Sequence, residues 1–439
     1  MTTYVVHDFS GHPFQAQLSR HLAARGHTVE HLSAPQYVSG KGRLERAAGD
    51  SPSLTFAELE LEPPFQKYAP WARARWEVAF GRTWVRRLRR QRPDAVVVCN
   101  VPLFALFVFA RYARRTSLPF VFWHQDIYSF GLADEVGRRF PRPLARVLAR
   151  ILYALEAYVA RNASQVVAIG PGFAEVYDEW GVDPSRVSVI PNWAPLDEIV
   201  PTPRDNRVSA ELFPDDAALR LVYAGTIGRK HNPELLVDLV EGLRDRGVDA
   251  ALAVVSEGDA ADDLASSSAA ATGLLRVAPF QPADLLPDVL GSGDVLVALL
   301  EPDATVFSIP SKVLSYLAAG RPVVALMPDD NPAATDVSAA GGFVASPDAE
   351  GLAAAVEWLT ALADDRERVT LLGVRSRELA EHQFDIARVT TRFETILAAI
   401  AGLPFRRTRT PVRTLAPHTK RTRTRPERSR RERVSARRG

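Results

Sequence analysis

Cysteine is nearly missing from this chain: Cys99 is the single one in 439 residues. No intrachain disulfide can form, and a reducing compartment is the simplest home. One cysteine also excludes the Cys-rich zinc sets, and no metal is expected. Lysine is scarce, five against 49 arginines, a balance compatible with a GC-rich bacterial genome. No Gly-x4-Gly-Lys-Ser/Thr occurs, which argues against a P-loop ATPase. No Gly-x-Gly-x-x-Gly follows the first strand-like run, which argues against a nicotinamide enzyme. Long apolar runs are lacking as well. The most apolar stretch, Val101 to Ala110, is closed by Arg111, Arg114 and Arg115. A bilayer span needs about 20 such residues, so this stretch reads as a buried helix. Near Met1 there is no basic segment followed by an apolar one, so no secretory signal is expected. A cytoplasmic location is.

What is present is ordinary for a globular protein: 46% hydrophobic and 24% charged residues. The net charge of +2 hides an asymmetry. Residues 404–439 hold 14 basic and 2 acidic residues, a net of +12, whereas residues 1–200 carry +5 and residues 201–403 carry −15. Arg, Thr and Pro dominate that tail, with too few apolar residues to offset ordering entropy, so it is expected to be disordered.

Short Val-rich runs alternate with amphipathic stretches throughout. In the first half the strand-like runs are Tyr4–His7, Thr28–Leu32, Ala95–Cys99, Phe120–Trp123 and Gln165–Ile169. In the second half they are Leu219–Ala224, Ala250–Val255, Leu274–Val277, Asp294–Leu299, Pro322–Ala325 and Gly342–Ala345. Such alternation indicates parallel sheets covered by helices on both faces. The two series are about equal in length, and Pro191–Ala218 between them has the composition of a linker. The expected fold is α/β, two doubly wound Rossmann-like domains facing across a cleft. The expected division is 1–195 and 196–383, then a helix over 384–403 that crosses back to the first domain, then the tail 404–439.

Ligands of open α/β sheets lie beyond the carboxyl ends of the strands. In the second half the loop Gly225-Thr226-Ile227-Gly228-Arg229-Lys230-His231 leads to a helix, with Asn232 suited to the N-cap and Pro233 to the first turn. Helix starts prefer acids, by about 0.3–1 kcal/mol per charge. Other helix starts here obey, with Asp259, Asp262, Asp284 and Asp348. Two do not: the start at Arg229 and Lys230, and the start at Ser308-Ile309-Pro310-Ser311-Lys312. Cations at two helix starts on one sheet edge point to a shared anion such as a diphosphate; the alternative is that these side chains reach into solvent. Glu301 and Asp303 suit the hydroxyls of a sugar or ribose, or else form a solvated acidic loop. Glu257 stands in another small polar loop. Phe280 can stack on a base, though the core is the safer placement. In the first half, Asp8-Phe9-Ser10-Gly11-His12-Pro13 follows the first strand and His124-Gln125-Asp126-Ile127-Tyr128 follows another. Titratable groups at such positions fit acid–base or hydrogen-bonding work.

Ile190-Pro191-Asn192-Trp193, Tyr223-Ala224-Gly225-Thr226-Ile227-Gly228, and the run from Pro310-Ser311-Lys312 through Ala318-Ala319-Gly320 to Val323 resemble glycosyltransferase family 4. This is the retaining, GT-B-fold group, and the nearest branch makes bacterial exopolysaccharide and capsule sugars. Gly26-His27-Thr28-Val29 also fits, and the resemblance covers about residues 1–400. It implies a UDP- or GDP-linked sugar donor held mostly by the second domain, and no cofactor. Gly225, Thr226, Arg229, Lys230, Glu257, Phe280, Glu301, Asp303, Ser308, Ser311, Lys312 and Ser315 would bind the donor. Gly11, His12 and Asn192 would lie on the acceptor side, and His124 and Asp126 would be catalytic. The acceptor would be a saccharide or a lipid-linked sugar. The family often carries two glutamates on the last donor motif, and Phe307 and Ser315 stand in those places here. A catalytically silent GT-B binding partner, or a sugar-nucleotide epimerase, is therefore the rival expectation.

Trp71, Trp76, Phe80, Trp84 and Leu88 share one helical face within an arginine-rich stretch, 71–92. This either lies on an anionic membrane together with the basic tail, or packs its aromatic face in the core. No specific nucleic acid is expected as a partner.

Overall fold

The computed structural model describes residues 2–34, 44–62, 70–215, 217–228, 231–301 and 309–402. The first sheet contains β1 (Thr3–Asp8), β2 (Thr28–Ser33), β3 (Leu54–Glu58), β4 (Ala95–Cys99), β5 (Phe120–His124), β6 (Gln165–Ala168) and β7 (Val187–Val189). Its order is β3-β2-β1-β4-β5-β6-β7, and every pairing is parallel. Every residue of β4 is buried, as expected of a central parallel strand covered on both faces. The covering helices are α1 (Pro13–Ala24), α2 (Pro70–Gln91), α3 (Leu103–Thr116), α4 (Tyr128–Arg139) and α5 (Arg142–Asn162). The apolar run at 101–110 lies in and just before α3, where Leu103, Leu106 and Phe109 are buried.

The second sheet contains β8 (Leu219–Ala224), β9 (Ala250–Val255), β10 (Leu275–Ala278), β11 (Val295–Leu299), β12 (Val323–Leu326) and β13 (Phe343–Ala345). It too is parallel throughout, in the order β10-β9-β8-β11-β12-β13. Each sheet thus reverses its winding direction once, between β1 and β4 in the first and between β8 and β11 in the second. Those two switch points are where such sheets open a crevice for a ligand.

The hydrophobic cores part at the linker. Trp193 belongs to the first core, and Ala194 begins the second. The helix Arg366–Gln383 closes the second domain, and Phe384 is the last residue of its core. The helix Ile386–Gly402 then returns to the first domain, burying Val389, Phe393, Leu397 and Ile400 in the first core. Phe393 lies 4.8 Å from Trp123, centroid to centroid. Glu394 receives Arg25 at 2.8 Å and His27 at 2.9 Å. Residues 403–439, including the basic tail, lie outside the described residues.

The aromatic face of α2 is not available to a membrane. Trp76, Phe80, Trp84 and Leu88 are buried in the first core, and Trp84 stacks on Phe109 at 4.2 Å. The side chain of Trp71 lies outside the described residues. Tryptophans at helical spacing beside arginines here mean a core face with a basic back, which corrects the membrane reading of 71–92. No described helix is long and apolar enough to cross a bilayer.

Candidate active site

The carboxyl ends of β1, β4, β8 and β11 converge on one crevice between the domains. A cavity of about 340 Å3 there is lined by His12, Asn100, Gln125, Asp126 and Asn192 from the first domain and by His231, Leu300, Ile309 and Ser311 from the second.

On the first-domain side Asp8 ends β1 and is buried. Its carboxylate accepts hydrogen bonds from the backbone N–H of His12 at 2.5 Å, from that of Ser10 at 3.3 Å and from Asn100 Nδ2 at 2.9 Å. Burial raises the Asp8 pKa to about 6, against the pull of these donors and of nearby His12. Gly11 sits at φ +73°, where a side chain would be strained, and a Cβ there would meet Leu44 at 2.8 Å. Asn100, at φ +53°, is one of few non-glycine residues in the left-handed region. Its amide is gripped at both ends, by Asp8 and by the Tyr128 hydroxyl, which donates to Asn100 Oδ1 at 3.3 Å. Gln125 and Asn192 pair amide to amide through two hydrogen bonds of 2.9 Å, tying the β5 loop to the linker.

On the second-domain side Lys312 opens the helix Lys312–Ala318 and turns back beneath the β8 loop. Its Nζ lies 3.8 Å from the centroid of the Tyr223 ring and hydrogen-bonds the Tyr223 hydroxyl. A Cβ on Gly225, which adopts φ +133°, would sit 3.4 Å from Lys312 Cε and 3.5 Å from Nζ. Among the described residues no carboxylate pairs with this ammonium. Burial lowers its pKa to about 7. The Tyr316 hydroxyl, one turn further along the helix, accepts from Ala224 N–H and donates to Ala224 O, both at 3.0 Å. The β8 loop and this helix start are thereby fixed to each other. Arg229, Lys230, Asp303, Phe307 and Ser308 lie outside the described residues. His231, next to Lys230, lines the same cavity as Ser311.

The family comparison bears on this crevice. A model described as "Glycosyl transferase 4-like domain" matches residues 12–193, and one described as "Glycosyl transferases group 1" matches residues 218–362. Together they take in about three quarters of the chain. The chain belongs to the family 4, group 1 glycosyltransferases.

A glycosyltransferase of Pseudomonas aeruginosa named WbjE is 23% identical over 242 residues, 54% of this chain and 58% of that protein. A protein of Escherichia coli (strain K12) named WcaI, for colanic acid biosynthesis, is 26% identical over 242 residues, 53% of this chain and 57% of its own. The match thus spans rather more than half the length of these relatives. Among solved structures, Anabaena Alr3699/HepE in complex with UDP and glucose superposes with a TM-score of 0.62 at 14% identity, covering 91% of this chain and all of that one. That likeness is one of fold, the two-domain GT-B arrangement.

Within this family 4 chain, the residues singled out from the sequence fall in different places. His12, Asp126, Asn192 and Ser311 line the crevice, Gly11 directly precedes His12, and Lys312, which follows Ser311, stands against Gly225. Glu257 and Phe280 form a separate edge beyond β9 and β10, where Phe280 N–H donates to Glu257 Oε1 at 3.1 Å. Phe280 is 45% exposed, so its expected core placement is corrected. Thr226 is exposed, its carbonyl accepting the Tyr223 hydroxyl at 3.0 Å, and Ser315 and Glu301 are half-buried.

His124 is a different case. It is 1% exposed, with Nδ1 3.0 Å from the Tyr177 hydroxyl and Nε2 3.2 Å from Glu156. Glu156 also accepts the N–H groups of Tyr128 at 2.9 Å and Ser129 at 2.8 Å, at the start of α4. Both ring nitrogens are thus spent within the core, which corrects the catalytic assignment. His124 positions α4 and has no nitrogen left for a substrate.

Asn232 is corrected too. It adopts φ +38°, and the helix begins at Glu234, so it is no N-cap. Sequence reasoning placed Asp8 and Gln125 in loops suited to acid–base or hydrogen-bonding work without singling them out, and it gave no role to Asn100, Tyr223 or Tyr316. The available signal was position: Asp8 is the last residue of one strand, Asn100 follows another, and Tyr223 stands one residue from the end of a third.

Proposed function

We propose that this chain transfers a glycosyl group from a nucleoside diphosphate sugar, UDP- or GDP-linked, to a hydroxyl of a saccharide or lipid-linked acceptor in cell-surface polysaccharide synthesis, with retention of configuration and without a metal ion. Lys312 carries the reading. A half-buried ammonium without a carboxylate partner among the described residues, at a sheet's switch point and under a glycine loop, suits a diphosphate. Arg229 and Lys230 would add to that charge. Family membership and the UDP-bound structural neighbour support the same donor class.

In the reaction the bond between the anomeric carbon and the β-phosphate oxygen breaks, and the bond to the acceptor oxygen forms on the same face. The acceptor proton leaves to the departing diphosphate oxygen, and the new charge there rests on fixed cations. Asp126 would hold hydroxyls of the acceptor or sugar. The crevice between two domains supplies orientation and excludes water.

Lys312→Ala is expected to weaken donor binding more than tenfold, about 1.4 kcal/mol or more. Calorimetry with a panel of UDP- and GDP-sugars measures it, and an unchanged affinity overturns the site. Release of nucleoside diphosphate in the presence of membrane extract tests transfer. The second reading, a donor-binding but silent GT-B protein, is favoured by Ser315 standing where the family often carries a glutamate. Donor binding without any release would favour that reading.

A further inference from the structure

Large apolar side chains exposed to water are few among the described residues, and three of them share one face of one helix. On α5, Leu144 is 45%, Val147 52% and Ile151 47% exposed. Their spacing of i, i+3 and i+7 puts them in one stripe. Arg142, Arg146 and Arg150 run beside it in an i+4 row, all exposed. With Arg138 and Arg139 at the end of α4, five arginines fall between 136 and 155 without one Asp or Glu. A groove of about 130 Å3 continues the stripe inward between α2, α4 and α5, over Leu132, Val136, Phe140, Leu148 and Phe104. Glu77 at its floor is engaged by Arg73 at 2.8 Å and by Phe104 N–H at 3.0 Å.

We propose that the α4–α5 hairpin docks on an anionic phospholipid leaflet, the apolar stripe entering the acyl layer and the arginines meeting headgroup phosphates. Charge selects this occupant. A second copy meeting face to face would set arginine against arginine, and the +12 tail of this chain would be repelled by the same row. An apolar stripe edged by guanidinium groups matches an interface that is apolar beneath and anionic above. The placement is also apt. α4 starts at Tyr128, whose hydroxyl reaches Asn100 at the crevice, and the helix is about 18 Å long. A leaflet under the hairpin therefore lies within one short helix of the cavity. The proposal stands on the surface alone and does not require the transferase reading.

The lone cysteine makes the test direct. Cys99 is fully buried, so a thiol-reactive, polarity-sensitive dye reports only an introduced cysteine. Val147→Cys and Leu371→Cys are labelled in the full chain, Leu371 being an exposed apolar residue on the opposite domain. They are mixed with vesicles of phosphatidylcholine alone or with about a third phosphatidylglycerol. The expected result is a severalfold emission rise at 147 with the anionic vesicles only, and none at 371. Arg142→Ser/Arg146→Ser/Arg150→Ser is expected to lower vesicle affinity by about tenfold or more. A silent label at 147 on chains that still sediment with vesicles would assign binding to the tail and overturn the proposal. So would a rise at 147 that follows protein concentration without vesicles. Neither donor nor acceptor is present, so transfer can fail while docking holds, and the reverse.

Discussion

Lys312 is held in a state that costs the protein something before any ligand arrives. Burial lowers its pKa to about 7 from 10.5, so the unfolded chain holds this proton more tightly than the folded one. Folding stability contributed here rises with pH between those two values and is unchanged above them. A diphosphate beside the ammonium reverses the balance by restoring the charge. Donor binding at pH 8 is therefore expected to take up close to one proton. Calorimetry in buffers of differing ionisation enthalpy reads this number directly, and affinity should fall by up to about tenfold per pH unit above 7. Proton uptake of zero, or uptake retained in Lys312→Ala, would remove Lys312 from the anion site. Gly225 belongs to the same balance. At φ +133° any side chain there is strained, and its β-carbon would lie in ordinary contact with Lys312.

At the scale of elements, the central strands were legible because both sheets bury them on two faces, leaving unbroken apolar runs such as Ala95–Cys99. β3 and β7 were not, because they are short edge strands with partly exposed residues, and no run or alternation marks them. The loops after β1, β5, β8 and β11 could be placed as candidates because ligands of such sheets lie beyond the strands' carboxyl ends, and Lys312 could be found because a cation at a helix start breaks an electrostatic preference. Roles within those loops were less legible. His124 ends an apolar strand as a site residue would, yet its neighbours in space, Glu156 and Tyr177, lie 32 and 53 residues away. Nothing local announces them. That arrangement predicts a stability phenotype. His124→Ala leaves Glu156 with one donor fewer and opens a cavity, so it is expected to cost about 2–4 kcal/mol by denaturant unfolding. Donor affinity should stay near that of the unaltered chain. Loss of transfer with stability intact would return His124 to the chemistry.

The whole molecule is two sheets whose switch points face each other, stapled twice. The linker runs out at Trp193, whose indole N–H donates to Gln17 Oε1 at 2.7 Å, and the chain returns through the helix Ile386–Gly402. Between the staples the domains touch closely: a Cβ on Gly170 would meet Ile309 at 2.8 Å and Pro332 at 3.2 Å. Beside that contact lies a cavity of about 180 Å3, lined by Ile169, Pro191 and Asn192 on one side and by Ser311, Leu314 and Asp336 on the other. Asp336 is half-buried, and among the described residues nothing pairs with its carboxylate. Burial raises its pKa from 3.8 to about 6. Below 3.8 the group is protonated in both folded and unfolded chains and costs nothing. As pH rises towards 6 the unfolded chain ionises first, and the penalty grows, reaching its full size above 6 at about 3 kcal/mol. Asp336→Asn removes a charge, not a shape. It should raise the melting temperature by several degrees at pH 7.5 and by far less at pH 4, where the penalty has barely begun to grow. A shift of equal size at both pH values would mean that packing, not the charge, sets the cost. No shift at pH 7.5 would mean that solvent in the crevice already relieves the carboxylate, and that the domains stand further apart in solution than Gly170 and Ile309 place them.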